Sequence, residues 1–303
     1  MKIIISGASG LVGMALTRIL RAEGDAVSHL VRSARKGASP ADDGDIHWDP
    51  TSAQVDVPAL EGADAVVHLS GAGVAAGRWT QARKQVLRSS RLDTTRVLVD
   101  SLARLNRKPS VFICASAVGY YGNRSDEILT ESSASGTDFL ALLARDWEAE
   151  AIRAQTNGGI RTVILRFGLI LSAEGGALLR IIAPFKFGVG GPLGNGRQWL
   201  SWIALEDALG VIRCAIANAK MGGPVNVVSP NPVRNTEFAR TVGKILHRPA
   251  ILHAPAFALR LALGEMADAL LLASQRTQPN KLLTAGYPFR YPDLEEALRA
   301  ALS

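Results

Sequence analysis

Cysteine is almost absent from this 303-residue chain: Cys114 and Cys214 are the only two, both within apolar stretches. Two distant thiols cannot form the disulfide framework of a small secreted domain, and they suit reduced core positions in a reducing compartment. The five histidines show no metal-ligand spacing, so no metal is expected. No uncharged run is long enough to span a bilayer. The most apolar stretch, Ala254 to Ala273, carries Arg260, Glu265 and Asp268, which would be costly in lipid; it reads as a core or interface helix, a dimer face included. Nothing resembling a secretory leader stands before "KIIISG", and a cytoplasmic location without membrane contact is expected. Acidic residues are fewer than basic ones, giving a formal charge of +7 and a pI near 9.7. The basic residues are scattered apart from "VRSARK", with no basic face or stacking motif. That points to a solvated basic surface and away from nucleic acid.

What is present is the composition of an ordinary globular protein, 48% hydrophobic and 20% charged. Short β-branched runs alternate with helical patterns through the first half, the mark of βαβ units and a mostly parallel sheet. Strands are predicted at Lys2–Ser6, Ala26–Val31, Ala65–Leu69, Val111–Ala115 and Thr162–Arg166, with helices near Leu11–Glu23, Gln81–Leu105 and Asp138–Gln155. Beyond Gly168 a glycine-rich segment leads to helices near Leu205–Ala219 and Thr236–Leu246, separated by the short strand "PVNVVS". The division expected is residues 1–170 as a nucleotide-binding domain and 171–303 as a smaller substrate lobe, with part of 204–228 returning to the sheet.

In "IIISGASGLVGMAL" a strand runs into Gly7, Gly10 and Gly13 and then an apolar helix. Without Cβ atoms the chain can turn sharply out of the strand, bring backbone N–H groups to a pyrophosphate, and pack the helix closely on the strand. Ser9, Leu11 and Val12 share this turn and are expected cofactor contacts. The helix N-terminus then offers free N–H groups and a positive dipole end to the phosphates. An acid holding the ribose 2′-hydroxyl belongs about 20 residues beyond the glycines. Arg32 stands there instead, followed by Arg35 and Lys36, which favours the 2′-phosphate of NADP(H).

These residues resemble the extended short-chain dehydrogenase/reductase superfamily, which includes nucleotide-sugar epimerases and dehydratases. The segments "HLSGAGVAAGRWT", "SAVGYYG", "RFGLILSAEGGAL", "GVGGPLGNGRQWLSWI" and "KLLTAGYPFRYPDLEEAL" look like its atypical subgroup of epimerase family proteins of unassigned substrate. The resemblance covers essentially the whole chain. It implies a Rossmann-type doubly wound parallel sheet with a smaller C-terminal α+β substrate lobe, and a monomer or homodimer acting on a small molecule. It also implies that Leu69, Ser70, Gly71 and Ala72 contact the cofactor, with Arg166 beside it, and that Ser116 matches the superfamily's catalytic serine.

One departure is large. Members use a Tyr-x-x-x-Lys pair on the following helix, where Lys lowers the Tyr pKa for proton exchange with the substrate alcohol. Here that helix reads "DFLALLARDWEAEAI": it has no Tyr, and no Lys occurs between Lys108 and Lys186. Replacements can be imagined in Tyr120 or Tyr121, aided by Arg166 or Arg145, or in Asp146 or Glu148 as a carboxylate acid/base. Arg78 and Trp79 could bind and polarise an anionic or planar substrate. Ser116 with Tyr120 ranks first as the catalytic pair. Tyr121 is set on the substrate side, Trp147 as a core anchor, and Glu148 and Glu150 on a solvated face. In the second lobe Arg197, Gln198 and Trp202 are expected to face substrate, Asp207 to be structural, and Asn231, Pro232 and Thr236 to form a loop and cap at the cleft. The function expected is an NADP(H)-dependent oxidoreductase or epimerase-like enzyme on a small polar substrate, a nucleotide sugar among the candidates. A non-enzymatic NADP(H)-binding sensor is the alternative.

Overall fold

The computed structural model describes residues 1–32 and 44–302. Arg35 and Lys36 lie outside the described residues. In chain order the elements are β1 (Lys2–Ser6), α1 (Leu11–Ala22), β2 (Ala26–Arg32), β3 (Ile46–Asp49), β4 (Gln54–Val55), α2 (Val57–Leu60) and β5 (Ala65–His68). Then follow α3 (Gln81–Ala103), β6 (Val111–Ala117), a 3-10 turn over Val118–Tyr121, β7 (Ile128–Leu129), α4 (Phe139–Thr156), β8 (Arg161–Phe167) and β9 (Leu169–Leu171). The remainder comprises α5 (Ala177–Lys186), β10 (Trp199–Leu200), β11 (Trp202–Ala204), α6 (Leu205–Ala217), β12 (Gly223–Val227), β13 (Val233–Arg234), α7 (Asn235–Leu246), α8 (Ala256–Leu263), β14 (Arg276–Thr277), α9 (Asn280–Thr284) and α10 (Leu294–Leu302).

Eight strands form one sheet in the order β12-β8-β6-β5-β1-β2-β3-β4, parallel throughout except for the last pair. Helices cover both faces, so the strands are apolar on both sides. In β1, Ile3 and Ile5 face α1 and α6 together with Val67, Ile113, Leu165 and Ile212, while Ile4 faces α3 and α4 with Val66, Phe112, Leu98 and Trp147. That one-residue alternation is the pleat of a strand buried twice. Strand order reverses between β1 and β5, which opens a crevice outside their carboxyl ends. A third core, built from Leu178, Ile182, Trp202, Phe238, Val242 and Leu298, holds α5, α7 and α10 around β9 and β11. Residues from α6 and β12 belong to the main sheet's core, although β9 and β11 precede them.

The stretch from Ala254 to Ala273 corrects the sequence reading. It is not one helix: α8 stops at Gly264, whose φ of +63° suits glycine alone, and a π-type turn follows over Ala267–Leu272. No residue of α8 is buried, so it is not a core helix, and Phe257 and Leu261 point outward. Among the described residues no helix is long and apolar enough to cross a membrane, and both cysteines are free.

Directly beneath the crevice, His68 at the end of β5 is wholly buried. Its Nδ1 lies 2.6 Å from Ser6 Oγ and its Nε2 lies 3.0 Å from Thr95 Oγ1. Phe112 stacks on the ring and Trp48 meets it edge-on. Burial pushes the imidazole pKa down to about 3, so a neutral ring ties the ends of β1 and β5 to α3.

Candidate active site

The glycine turn is as tight as its spacing demands. Gly7 has φ +73°, and a Cβ there would lie 2.7 Å from the Leu69 carbonyl. A Cβ on Gly13 would come within 2.4 Å of Gly7 O, and one on Gly10 within 3.3 Å of the same oxygen. Gly10 caps α1 with extended backbone, no side-chain cap forms, and the first turn holds no acid. The first N–H groups of α1 are therefore open to an anion. Ser9 and Gly10 are exposed at the turn, while Leu11 and Val12 are half-buried and pack against the core.

The opposite wall is Leu69 to Ala72. Leu69 N donates to Ser6 O, and Ala72 N donates to Ser90 Oγ. Ser70 is half-buried and Gly71 is exposed. Behind Gly71 stands a residue that sequence reasoning missed: a Cβ on Gly71 would lie 3.2 Å from Arg91 Cζ. Arg91 has no carboxylate partner among the described residues. Burial, and secondarily the nearby Arg83 charge, push its pKa down to about 10. Arg83 gives one donor to Gly73 O, and its Nε is buried without a partner. Their neighbours on α3 are neutralised, Lys84 by Glu265 and Arg88 by Asp146. Arg91, largely buried and without a counter-charge, is costly unless an anion completes it, and half-buried Arg83 adds to the same positive field. Arg32 ends β2 with an exposed side chain that pairs with no acid among the described residues. The donor set of glycine turn, open helix end and cations fits a dinucleotide with phosphate groups.

At the end of β6, Ser116 is buried and its Oγ donates to Glu148 Oε1 at 2.6 Å. Arg166, opposite Ser116 in β8, closes a bidentate pair on Glu148 at 2.8 and 2.7 Å. Glu148 is thus buried, which corrects its expected place on a solvated face. It lies on the stripe Ala141, Ala144, Trp147 and Ala151 that α4 turns inward, so the helical period carried the signal. Arg166 also requires correction as a cofactor contact. Only 3% exposed, it spends its remaining donors on Tyr121 Oη at 2.9 Å and Glu131 O at 3.4 Å. Burial alone would depress its pKa, but the bonds and charge of Glu148 outweigh that and raise it.

The two tyrosines separate. Tyr121 is fully buried, donates to Asn226 Oδ1 at 2.7 Å, and is pushed up to about 12 chiefly by burial, so it does not face a substrate as expected. Tyr120 is half-buried, with the Arg166 guanidinium 3.5 Å from its ring centre and no partner for its hydroxyl among the described residues. On α4, Leu140 packs near Gly119 and Ala144 is buried; neither can move a proton. Asp146 is unsuited to act as an acid: burial raises its pKa, but hydrogen bonds from Arg145 and Arg88 prevail and hold it below the usual range. Trp147 is the expected anchor, with Nε1 on Thr95 Oγ1 at 2.8 Å.

Further out, Arg78 reaches Leu261 O at 2.9 Å and Trp79 donates to Val74 O at 2.8 Å, so both pin the loop that runs from β5 to α3. Arg197 is exposed and lines a cavity of ≈ 610 Å³. Gln198 and Trp202 do not join it as free donors. Gln198 is buried with Nε2 on Leu193 O and Leu271 O, and Trp202 is wholly buried with Nε1 on Asn231 O, because each anchors the glycine-rich segment to the lobe. Thr236 Oγ1 holds Gly196 O, and the Asp207 carboxylate receives Arg290 N and Tyr291 N, a structural role. Among the described residues no cluster could hold a metal ion.

The chain is similar to known proteins along its full length. The model of the NAD dependent epimerase/dehydratase family matches residues 3–228, and that of a domain of unknown function matches residues 254–301. Epimerase family protein MT2273 of Mycobacterium tuberculosis is 44% identical over 296 residues, covering 98% of this chain and 96% of that protein. Epimerase family protein YfhF of Bacillus subtilis is 41% identical, covering 98% and 97%. The crystal structure of human epimerase family protein SDR39U1 (isoform 2) with NADPH superposes with a TM-score of 0.89 at 30% identity, covering 99% of both chains. With its parallel sheet, glycine turn and these relatives, the chain belongs to the NAD-dependent epimerase/dehydratase family.

Proposed function

We propose that the protein is an NADP(H)-dependent oxidoreductase or epimerase-like enzyme acting on a small polar substrate. The observation that carries this is the crevice itself. The Gly7–Gly13 cradle and the uncapped end of α1 face the Leu69–Ala72 wall, with Arg91 behind Gly71, Arg83 near Arg91, and Arg32 at the end of the neighbouring strand β2. Arg32 in place of an acid supports NADP(H) over NAD(H), and a human relative has been crystallised with NADPH. When bound, the nicotinamide supplies a hydride donor or acceptor.

The chain's own part is positioning and proton transfer. Ser116, its hydroxyl hydrogen held by Glu148, presents lone pairs and accepts a hydrogen bond from a substrate alcohol. Tyr120, its hydroxyl unpartnered, exchanges the proton. Deuteride transfer from labelled NADPH to a panel of alcohols and carbonyls tests this reading. Transfer that falls at least about tenfold in Tyr120→Phe, with NADPH affinity kept, supports it; no transfer to any member in purified, NADPH-saturated protein refutes it.

One observation favours a second reading, a non-enzymatic NADP(H) sensor. Leu140 and Ala144 stand on α4 where proton-transfer groups are absent, and the Ser116 proton is already committed to Glu148. A sensor predicts that oxidised and reduced cofactor change oligomeric state or partner capture differently, and identical behaviour with both rejects it.

A further inference from the structure

Basic residues that lie scattered along the sequence gather, in the folded chain, beside an apolar ridge on the second lobe. Phe187 and Val189 follow α5, Ile251 and Leu252 precede α8, and Phe257 and Leu261 lie four apart on one face of α8. These segments are neighbours: Leu252 N donates to Gly190 O, Ala254 N donates to Pro192 O, and Leu193 and Ala254 form a bridge. Phe187, Ile251, Phe257 and Leu261 are between 72% and 84% exposed. A single exposed apolar side chain is common on any surface. A continuous ridge of large ones, on the order of several hundred Å² by side-chain size, marks a contact surface.

The charge around the ridge is positive. No Asp or Glu stands between Glu174 and Glu206 or between Glu237 and Glu265, the stretches that build it. Lys186 directly precedes Phe187, and Arg248 stands shortly before Ile251; both are exposed and neither pairs with an acid among the described residues. On the side toward the crevice, Arg180 donates to Ala75 O and Arg78 to Leu261 O. These bonds tie α5 and α8 to one loop, and because the acceptors are carbonyls they leave both charges without an offset. The acids just beyond α8, Glu265 and Asp268, are taken by Lys84 and Arg260.

That charge decides between occupants. A twofold interface with a second copy uses the same patch on both sides, so Lys186 and Arg248 would meet a rim that offers no unpaired acid. A bilayer with anionic headgroups supplies both halves: its acyl boundary takes protruding Phe, Ile and Leu tips without a shaped counterpart, and its phosphates take Lys and Arg. We propose that the ridge docks the protein on the surface of a bilayer containing anionic phospholipids. Phe187, Ile251, Phe257 and Leu261 enter the headgroup boundary, and Lys186 and Arg248 lie on the phosphates. The contact is peripheral, in keeping with the lack of a spanning helix among the described residues, and it departs from the expectation of no membrane contact. It stands independently of the enzymatic reading.

Co-sedimentation with vesicles tests this. Wild type, Phe187→Ser/Phe257→Ser and Lys186→Glu/Arg248→Glu are spun with vesicles of phosphatidylcholine alone and of phosphatidylcholine mixed equally with phosphatidylglycerol, at low and high salt. All four substituted side chains are exposed, so both variants should fold, and an unchanged circular dichroism spectrum and melting temperature check that they do. Wild type should bind the anionic vesicles at least about tenfold more tightly than the neutral ones, with affinity falling as salt rises. Each variant should lose about tenfold or more on the anionic vesicles. No binding to anionic vesicles, as a ridge made for an acidic protein would give, overturns the proposal. So does equal binding to neutral vesicles, or full binding by either variant. Sedimentation velocity without lipid closes the remaining route: a wild-type dimer that Phe187→Ser/Phe257→Ser dissociates would assign the ridge to a second copy and overturn the proposal.

Discussion

His68 should make the fold sensitive to mild acid, with a sign and size that the structure sets. The ring is wholly buried among Ser6, Thr95, Phe112 and Trp48, with its pKa at about 3 against about 6.5 in an unfolded chain. The folded state keeps it neutral while the unfolded state protonates below pH 6.5, so the unfolded form binds more protons and stability falls as pH falls. At one pKa unit per about 1.4 kcal/mol, the loss relative to pH 8 reaches about 2 kcal/mol at pH 5 and approaches about 5 kcal/mol near pH 3. The displaced carboxylates are displaced downward, Asp49 to about 2 and Glu61, Asp126 and Glu150 below their usual range, so they titrate beneath the interval from pH 5 to 7. Urea unfolding of wild type and His68→Gln at half-unit steps from pH 5 to 8 isolates the ring. The variant should be less stable at pH 8, for losing its fitted contacts, yet its stability should change less with pH by about 2 kcal/mol across the range. Parallel slopes for the two proteins would refute the argument.

Two further substitutions probe charges buried near the crevice. Glu148→Gln leaves Arg166 buried without its counter-charge and should cost roughly 3–5 kcal/mol in chemical denaturation, much of it recovered in Glu148→Leu/Arg166→Met; a loss below about 1 kcal/mol would show that the pair is not stabilised as argued. Arg91→Met removes a buried cation that has no carboxylate among the described residues, so the melting temperature of the ligand-free protein should hold or rise while NADPH binding weakens about tenfold. A lower melting temperature with unchanged NADPH affinity would assign Arg91 to packing alone.

The parts legible in the sequence are those where backbone geometry admits few residues. Gly7 and Gly13 face atoms less than 3 Å from any Cβ, and β1, β5, β6 and β8 are buried on both faces, so their runs of Val and Ile are continuous. Side-chain roles at the site were harder to read, because a polar residue facing solvent and one facing a buried partner look alike until the partner is placed. Glu148 and Arg166 are 18 residues apart and meet because α4 packs back across β8, the strand that follows it. Trp202 and Gln198 were legible as a cluster of donors and rings but not as anchors, since their acceptors, Asn231 O and Leu271 O, are distant carbonyls. Arg91 did carry a signal. It continues the inward stripe of Leu87, Thr94 and Leu98 on α3, a place where an arginine needs an anion. The short strands β3 and β4 left little trace, being an edge pair of four and two residues.

On the proposed reading the crevice holds NADP(H) and Arg32 selects it. Titration of wild type and Arg32→Ala with NADPH and NADH, followed by nucleotide fluorescence, tests both halves at once. NADPH should bind tighter than NADH in wild type, with a loss of about tenfold for NADPH alone in the variant, as expected for one exposed guanidinium on a phosphate. Equal weakening of both nucleotides, or no change for either, would contradict the assignment of Arg32, and failure of wild type to bind either nucleotide would contradict the cofactor itself.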